Sequence, residues 1–395
     1  MCHLRNLRLS VLRWNVLTTK RIQDGTRSDK NQVVSPSSIP ILRHHSTHSI
    51  MSKKEVYYKD YLQLDKILGA QELESDKAGV EAHDEMLFIV IHQAYELWFK
   101  QVLYELDSIT ALLSKPTVND NDQTLQVVVH RSRRIIEILR LLVDQINVME
   151  TMSSLDFLDF RDLLRPASGF QSIQWKELEA KLGLHYENRH GKQYYVSQLR
   201  PEDVGRVRDI EKQTNLLDLL NVWLERMPYF ENEEIWGQIA DNKPEEHPFW
   251  SDYREKYTGG LLDIEKSNAD LFDRTLFGND EDPKRRLSAK ACRSALFIYL
   301  YKGFPLLHLP YELMVSLLEI DELMASWRMR HVNMVMRMIG SRVGTGKSSG
   351  HGYLKGAMDK HYIFRELAEL NGLLMPRKDL PELPKELERL LGFSG

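Results

Sequence analysis

The sequence predicts an all-α protein, and three observations carry that expectation. Apolar residues recur every three to four positions over long stretches, which is the helical period. Alternating apolar and polar runs of the strand type are scarce from end to end. Two of the longest helical patterns are joined by a short polar link, as in an antiparallel helix pair.

The first fifty residues stand apart. They carry Arg5, Arg8, Arg13, Lys20, Arg21, Arg27, Lys30 and Arg43 against only Asp24 and Asp29, and are rich in Ser, Thr and His. Poor in acids and rich in arginine, residues 1–50 resemble a mitochondrial transit segment; a disordered extension with the working start at Met51 is the competing expectation, and it is favoured because no clear cleavage site is visible. The domain expectation is therefore an extension over 1–50, one helical domain over 51–375, and a charged tail over 376–395.

Residues 55–68 predict a short helix carrying Tyr57, Tyr58, Tyr61, Leu62 and Ile67, and the polar stretch 71–80 predicts a connector. From Asp84 to about Ser114, Phe88, Ile91, Tyr95, Trp98, Phe99, Val102 and Leu106 recur at helical spacing. His92 lies one turn after Phe88 and one turn before Glu96, so the three share a side. Taken alone, such a histidine is more often a core residue bonded to a backbone carbonyl than a group above a flat cofactor or an indole. A second long helix is predicted over about 122–149, with Leu125, Val128, Val129, Ile135, Ile138, Leu139, Leu142 and Ile146 facing the core.

Between Leu155 and Phe170, Pro166 and Gly169 end the helical pattern near Leu164. Arg161 lies one turn after Phe157 on the side of Leu164, where an arginine either snorkels to solvent or binds an anion. The region from 174 to about 277 looks helical with polar breaks. Within it, the polar cluster from His185 to His190 is expected at the surface, and 242–257, with Pro244, His247, Pro248, Phe249 and Trp250, is expected to be a loop packed by its aromatics. Helices are predicted over 284–302 and, after Phe304-Pro305, from Tyr311 to Gly340. His331 falls on the apolar side of the latter, one turn after Trp327. This second buried-looking histidine, remote from the first in sequence, shifts the balance, because imidazole is a common axial ligand of haem iron.

Gly344-Thr345-Gly346-Lys347-Ser348 looks like a phosphate-binding loop but fails the test. Ser341 stands where the pattern needs glycine, and a helix precedes it where a strand is required. Four glycines within 340–350 instead predict a loop able to fold over a site, or a plain connector. Residues 353–375 predict a further helix.

Composition narrows the function classes. Apolar residues make up 42% and charged residues 28%, with 53 basic against 57 acidic side chains and a net charge of −4. Nothing in that balance points to nucleic acid or to an anionic membrane surface. The apolar runs are broken by charge well before the roughly 20 residues of a membrane span. Cys2 and Cys292 make neither a disulfide framework nor a thiolate metal site, as expected of a reducing, cytoplasmic compartment; a mitochondrial location follows only if 1–50 act as a transit segment.

Taken in order, several segments resemble tryptophan 2,3-dioxygenases. They are Tyr58-Lys59-Asp60-Tyr61-Leu62, the run from Phe88 to Lys100, Leu155 to Phe160 with Arg161, Pro166-Ala167-Ser168-Gly169-Phe170-Gln171-Ser172, Trp327-Arg328-Met329-Arg330-His331-Val332, and Gly344-Thr345-Gly346 with Ser348-Ser349-Gly350. No one motif is decisive, but the full set is specific and spans roughly 55–375.

The resemblance implies a helical homotetramer with one haem b per chain, ferrous when active. It implies insertion of both atoms of O₂ across the indole C2–C3 bond of L-tryptophan to give N-formylkynurenine, the opening step of the kynurenine route. It assigns His331 as the proximal iron ligand and His92 as the distal histidine that bonds the indole N–H. Arg161 is assigned to the substrate carboxylate and Thr345 to the neighbourhood of its ammonium group. Phe88, Phe157 and Leu164 are assigned to the indole pocket, with Ile89, Val90 and Ile91 from the same run counted among the substrate contacts. Tyr58 and Tyr61 are assigned to the pocket of a neighbouring subunit. One departure is visible: Lys347 stands where the family's loop has glycine, which implies slower or altered loop closure with activity retained. The competing expectations are a haem or tryptophan sensor that has lost turnover, a cofactor-free bundle, and a di-iron bundle whose paired Glu-x-x-His elements are missing from the long helices.

Overall fold

The computed structural model describes residues 55–117, 123–189, 196–237, 243–278, 285–340, 342 and 361–392. Thr345 and Lys347, together with the extension 1–50, lie outside the described residues. Every regular element among the described residues is a helix, as expected. The chain forms two compact units, Met1–Tyr61 and Leu62–Gly395.

The helices in chain order are α1 (Tyr58–Leu62), α2 (Leu64–Leu68), α3 (Glu74–Ala78), α4 (Glu85–Leu113), α5 (Gln123–Met149), α6 (Ser154–Arg161), α7 (Ile173–Leu182), α8 (Pro201–Glu211), α9 (Leu216–Glu225), α10 (Glu233–Trp236), α11 (Pro248–Gly259), α12 (Asn268–Leu276), α13 (Ala289–Tyr301), α14 (Pro305–Ile339), α15 (Arg365–Glu369) and α16 (Lys385–Leu391). The core of the larger unit is the layer shared by α4, α5 and α14. Ile91, Val102, Leu106 and Ile109 of α4 are buried with Leu125, Val128, Ile135, Leu139 and Leu142 of α5. Leu313, Leu317, Ile320 and Met324 of α14 belong to the same cluster.

The pairing of α4 and α5 is antiparallel. The Tyr95 hydroxyl donates to the Leu142 carbonyl at 2.9 Å near one end, and Arg134 donates to Glu105 at 2.7 Å nearer the other. At the start of α4 the buried Glu85 carboxylate accepts the backbone N–H groups of Glu74 and Ser75, both at 2.9 Å. It thereby supplies the first turn of α3 with acceptors that no local side chain provides.

The structure corrects several expectations. The connector at 71–80 contains α3. The stretch 242–257 is mostly helix α11, with Phe249, Trp250, Tyr253 and Tyr257 buried. Pro248 is its first residue, where a missing N–H costs nothing. Helix α14 begins at Pro305, before the expected Tyr311, and carries Pro310 inside it. The cluster at 185–190 is not all surface, because Arg189 is buried against Glu179.

Residues 376–395 are not merely a charged tail. Leu383, Leu387 and Leu391 are buried in the main core, and the Tyr301 hydroxyl donates to the Pro381 carbonyl at 2.7 Å. The charged residues of α16 sit on its outer face, while the leucines four apart turn inward. Other expectations stand: α14 ends at Gly340, whose φ of 58° suits glycine.

Candidate active site

Helix α4 supplies the first wall. Ile91, Tyr95 and Phe99 face the core, and Phe88 and His92 lie one turn apart beside that face. The Nδ1 of His92 is 2.7 Å from the Phe88 carbonyl oxygen. A carbonyl only accepts, so Nδ1 carries the proton and Nε2 keeps the lone pair. Burial lowers the His92 pKa below its ordinary value, outweighing the Phe88 carbonyl and Glu96, so the ring is held neutral. Its ring lies 4.2 Å from that of Phe88.

Helix α6 supplies the second wall. A capping box at its start fixes its direction: the Asp156 N–H donates to Ser153 Oγ at 3.3 Å, and the Ser153 N–H donates to the Asp156 carboxylate at 2.9 Å. Ser154 Oγ donates to the Arg337 carbonyl at 2.9 Å, which ties α6 to the C-terminal end of α14. Phe157 and Phe160 then stand 5.7 and 5.5 Å from Phe88, ring to ring. Arg161 is 5% exposed, so the snorkelling alternative fails and a guanidinium is held inside the protein. Leu164, in the 3-10 turn Asp162–Leu164, packs half-buried on the core.

Helix α14 supplies the third. His331 is stacked on Trp327, with ring centres 5.2 Å apart and planes 4° from parallel. Burial, and then the proximity of His92, push the His331 pKa down to about 4. Its Nδ1 is buried with no hydrogen-bond partner among the described residues. Both histidines are deep enough for burial to control their titration, yet each keeps accessible surface. Together these facts put the two rings near each other beneath the surface, between α4 and α14.

The structure brings together Phe88, His92 and Phe157, and His331 lies near enough to His92 to feel its charge. It does not bring the rest of the α4 run to that side. Val90 turns outward with 46% of its surface exposed, Ile91 is in the core, and Ile89 is half-buried, as successive residues on a helix must diverge. Tyr58 and Tyr61 belong to the first unit and are exposed. Phe160 is an addition to the site: it is fully buried behind Phe88, and its only sequence signal is its position three residues after Phe157.

The donor set fits a haem. Among the described residues no cluster of three or more His, Cys, Asp or Glu could hold a bare metal ion. A lone buried imidazole suits a macrocycle that brings its own four nitrogens. The region offers one imidazole without competing hydrogen bonds among the described residues, an aromatic wall, a neutral acceptor in His92 and a buried guanidinium.

Residues 43–374 match the family model described as Tryptophan 2,3-dioxygenase. A tryptophan 2,3-dioxygenase of Alteromonas mediterranea is 45% identical, with 85% of this chain and 97% of that protein covered. One of Dictyostelium discoideum is 40% identical over 93% of this chain and 95% of its own length, and one of Xenopus tropicalis is 42% identical over 86% and 87%. By a family model spanning most of its length and by relatives of this similarity, the chain belongs to the tryptophan 2,3-dioxygenase family.

Proposed function

We propose that this protein is a haem-dependent dioxygenase that cleaves the indole C2–C3 bond of L-tryptophan with O₂ to give N-formylkynurenine. The observation that carries this reading is the nearness of two unlike histidines: His331, buried and stacked on Trp327 with no hydrogen bond among the described residues, and His92 with its Nε2 lone pair left to accept. His331 would hold the iron of haem b, and the bound ferrous haem supplies the O₂ chemistry.

The chain's own residues bind and orient the substrate. The packed Phe88 and Phe157 rings offer an apolar wall for the indole to lie against. His92 Nε2 would accept the indole N–H and so fix the orientation of the ring. The planar Arg161 guanidinium grips both carboxylate oxygens, a geometry that lysine cannot reproduce. Thr345, outside the described residues, is assigned to the ammonium group by the family resemblance. Enclosure of the slot excludes water and strengthens each of these polar contacts.

Self-association as a homotetramer belongs to the same proposal. On α4, Met86, Val90, Leu97 and Tyr104 are all exposed. Their spacings of four, seven and seven place them on one line of the helix. Such an apolar stripe suits burial against another copy. Light scattering on the eluted protein tests the assembly. The function is tested by reconstituting with haemin, reducing, adding L-tryptophan in air and following the near-ultraviolet absorbance of the product. Absence of product despite a normal haem spectrum would favour a sensor without turnover.

A further inference from the structure

A histidine that ligates a metal almost always donates its second ring N–H to a carboxylate, carbonyl or water, which fixes the ring's plane. No carboxylate or carbonyl of the described residues accepts from His331 Nδ1. Its ring is instead stacked, nearly parallel, on Trp327. Trp327 is backed in turn by Trp175 of α7, with ring centres 4.5 Å apart.

The same two helices are locked by charge one residue along. Arg328, next to Trp327, donates to the buried Glu179 carboxylate at 2.8 Å, and Glu179 lies one turn after Trp175 on α7. The Arg328 guanidinium also lies over the Trp175 ring at 5.8 Å. Burial opposes ionisation of Glu179. Arg189, His361 and Arg328 outweigh it and hold the carboxyl well below the usual range, so the lock stays charged. Trp175 and Glu179 thus grip Trp327 and Arg328 as a matched pair.

We infer that Trp327, clamped by Trp175 and by the Arg328–Glu179 pair, is a positioning residue that sets the plane of the His331 imidazole by stacking. The inference rests on the reading of His331 as the haem ligand. It predicts that a flat ring matters at position 327 more than side-chain volume does. A stack of this kind contributes about 0.5–1.5 kcal/mol, so its loss corresponds to about a two- to tenfold change in haem retention.

The test uses haem-reconstituted protein with two readouts besides turnover. One is the iron–histidine stretching band of the ferrous form; the other is the rate of haem transfer to an excess of apo-globin. Trp327→Leu is expected to shift or broaden the band and to speed haem loss by about two- to tenfold. Trp327→Phe, which keeps a flat ring, is expected to stay near wild type. Should Trp327→Leu fail to fold, Trp175→Leu is expected to move both readouts in the same direction, because Trp175 is the outer, partly accessible ring of the stack. An unchanged band with wild-type haem loss in Trp327→Leu, or in Trp175→Leu where it stands in, overturns the positioning role. Failure of the underlying reading looks different: the band would persist in His331→Gln.

Discussion

The Phe88 carbonyl oxygen lies 2.7 Å from His92 Nδ1, so the residue one turn earlier on the same helix selects the tautomer of the histidine facing the cleft. Nε2 is then an acceptor and never a donor while the ring is neutral. Replacing His92 with Phe removes that acceptor and should raise KM for L-tryptophan severalfold, as a net hydrogen bond is worth about 0.5–1.5 kcal/mol. The same variant should lose much of the wild type's preference for L-tryptophan over its N1-methyl analogue, which steady-state kinetics on both substrates would reveal. Because burial lowers the His92 pKa below 6.5, kcat/KM should stay level as pH falls to 6.5 and decline only beneath it.

Arg161 is a buried cation, proposed to bind the substrate carboxylate. Arg161→Ala should weaken L-tryptophan binding at least about tenfold, since bonds to charged groups contribute about 1.5–3 kcal/mol. Indole, which has no carboxylate, should bind both forms alike. A calorimetric titration with both ligands separates these outcomes, and equal losses for the two would remove the assigned role.

Glu179 is shared by two buried guanidiniums, Arg189 at 2.5 Å and Arg328 at 2.8 Å. Glu179→Ala leaves both positive charges inside without that carboxylate. The expected destabilisation is about 3–5 kcal/mol, measured as a fall in the denaturant midpoint at constant slope.

His247 is 3% exposed, and its Nδ1 accepts the Phe249 N–H at 3.2 Å, capping α11. Burial pushes its pKa down to about 4 from 6.5. A depressed histidine is neutral in the folded state while the unfolded chain already binds a proton. Stability is therefore full above pH 6.5 and falls as pH drops from 6.5 towards 4, by roughly 3 kcal/mol. His247→Asn preserves a capping acceptor without titrating in this range. Its unfolding free energy should depend less steeply on pH across that window.

Much of this architecture was legible in the sequence because it is periodic. The long helices α4, α5 and α14 announce themselves by apolar spacing, and Gly340 marks where α14 stops. The placement of His92 and His331 on apolar faces was visible for the same reason. What escaped depends on partners far away in the chain. Arg189 looks like surface until Glu179 is placed beside it, and Glu179 meets Arg328 across 149 residues. Helix α11 was hidden because Pro244 and Pro248 punctuate the sequence as a loop does, although Pro248 sits where a helix tolerates it. The end of the chain was hidden by its charge. Leu387 is fully buried there, and Leu387→Ala should cost about 2–5 kcal/mol of stability by thermal or denaturant unfolding, where a free tail would cost nothing.

The central claim is that one cleft holds haem at His331 and turns O₂ and L-tryptophan into one product. The most direct measurement is the stoichiometry of oxygen consumed, N-formylkynurenine formed and hydrogen peroxide released by the ferrous, haem-reconstituted protein. One O₂ should be consumed per product, without peroxide, and the activity should be lost in His331→Ala. Oxygen uptake that appears as peroxide without N-formylkynurenine, or full turnover in His331→Ala, would contradict it.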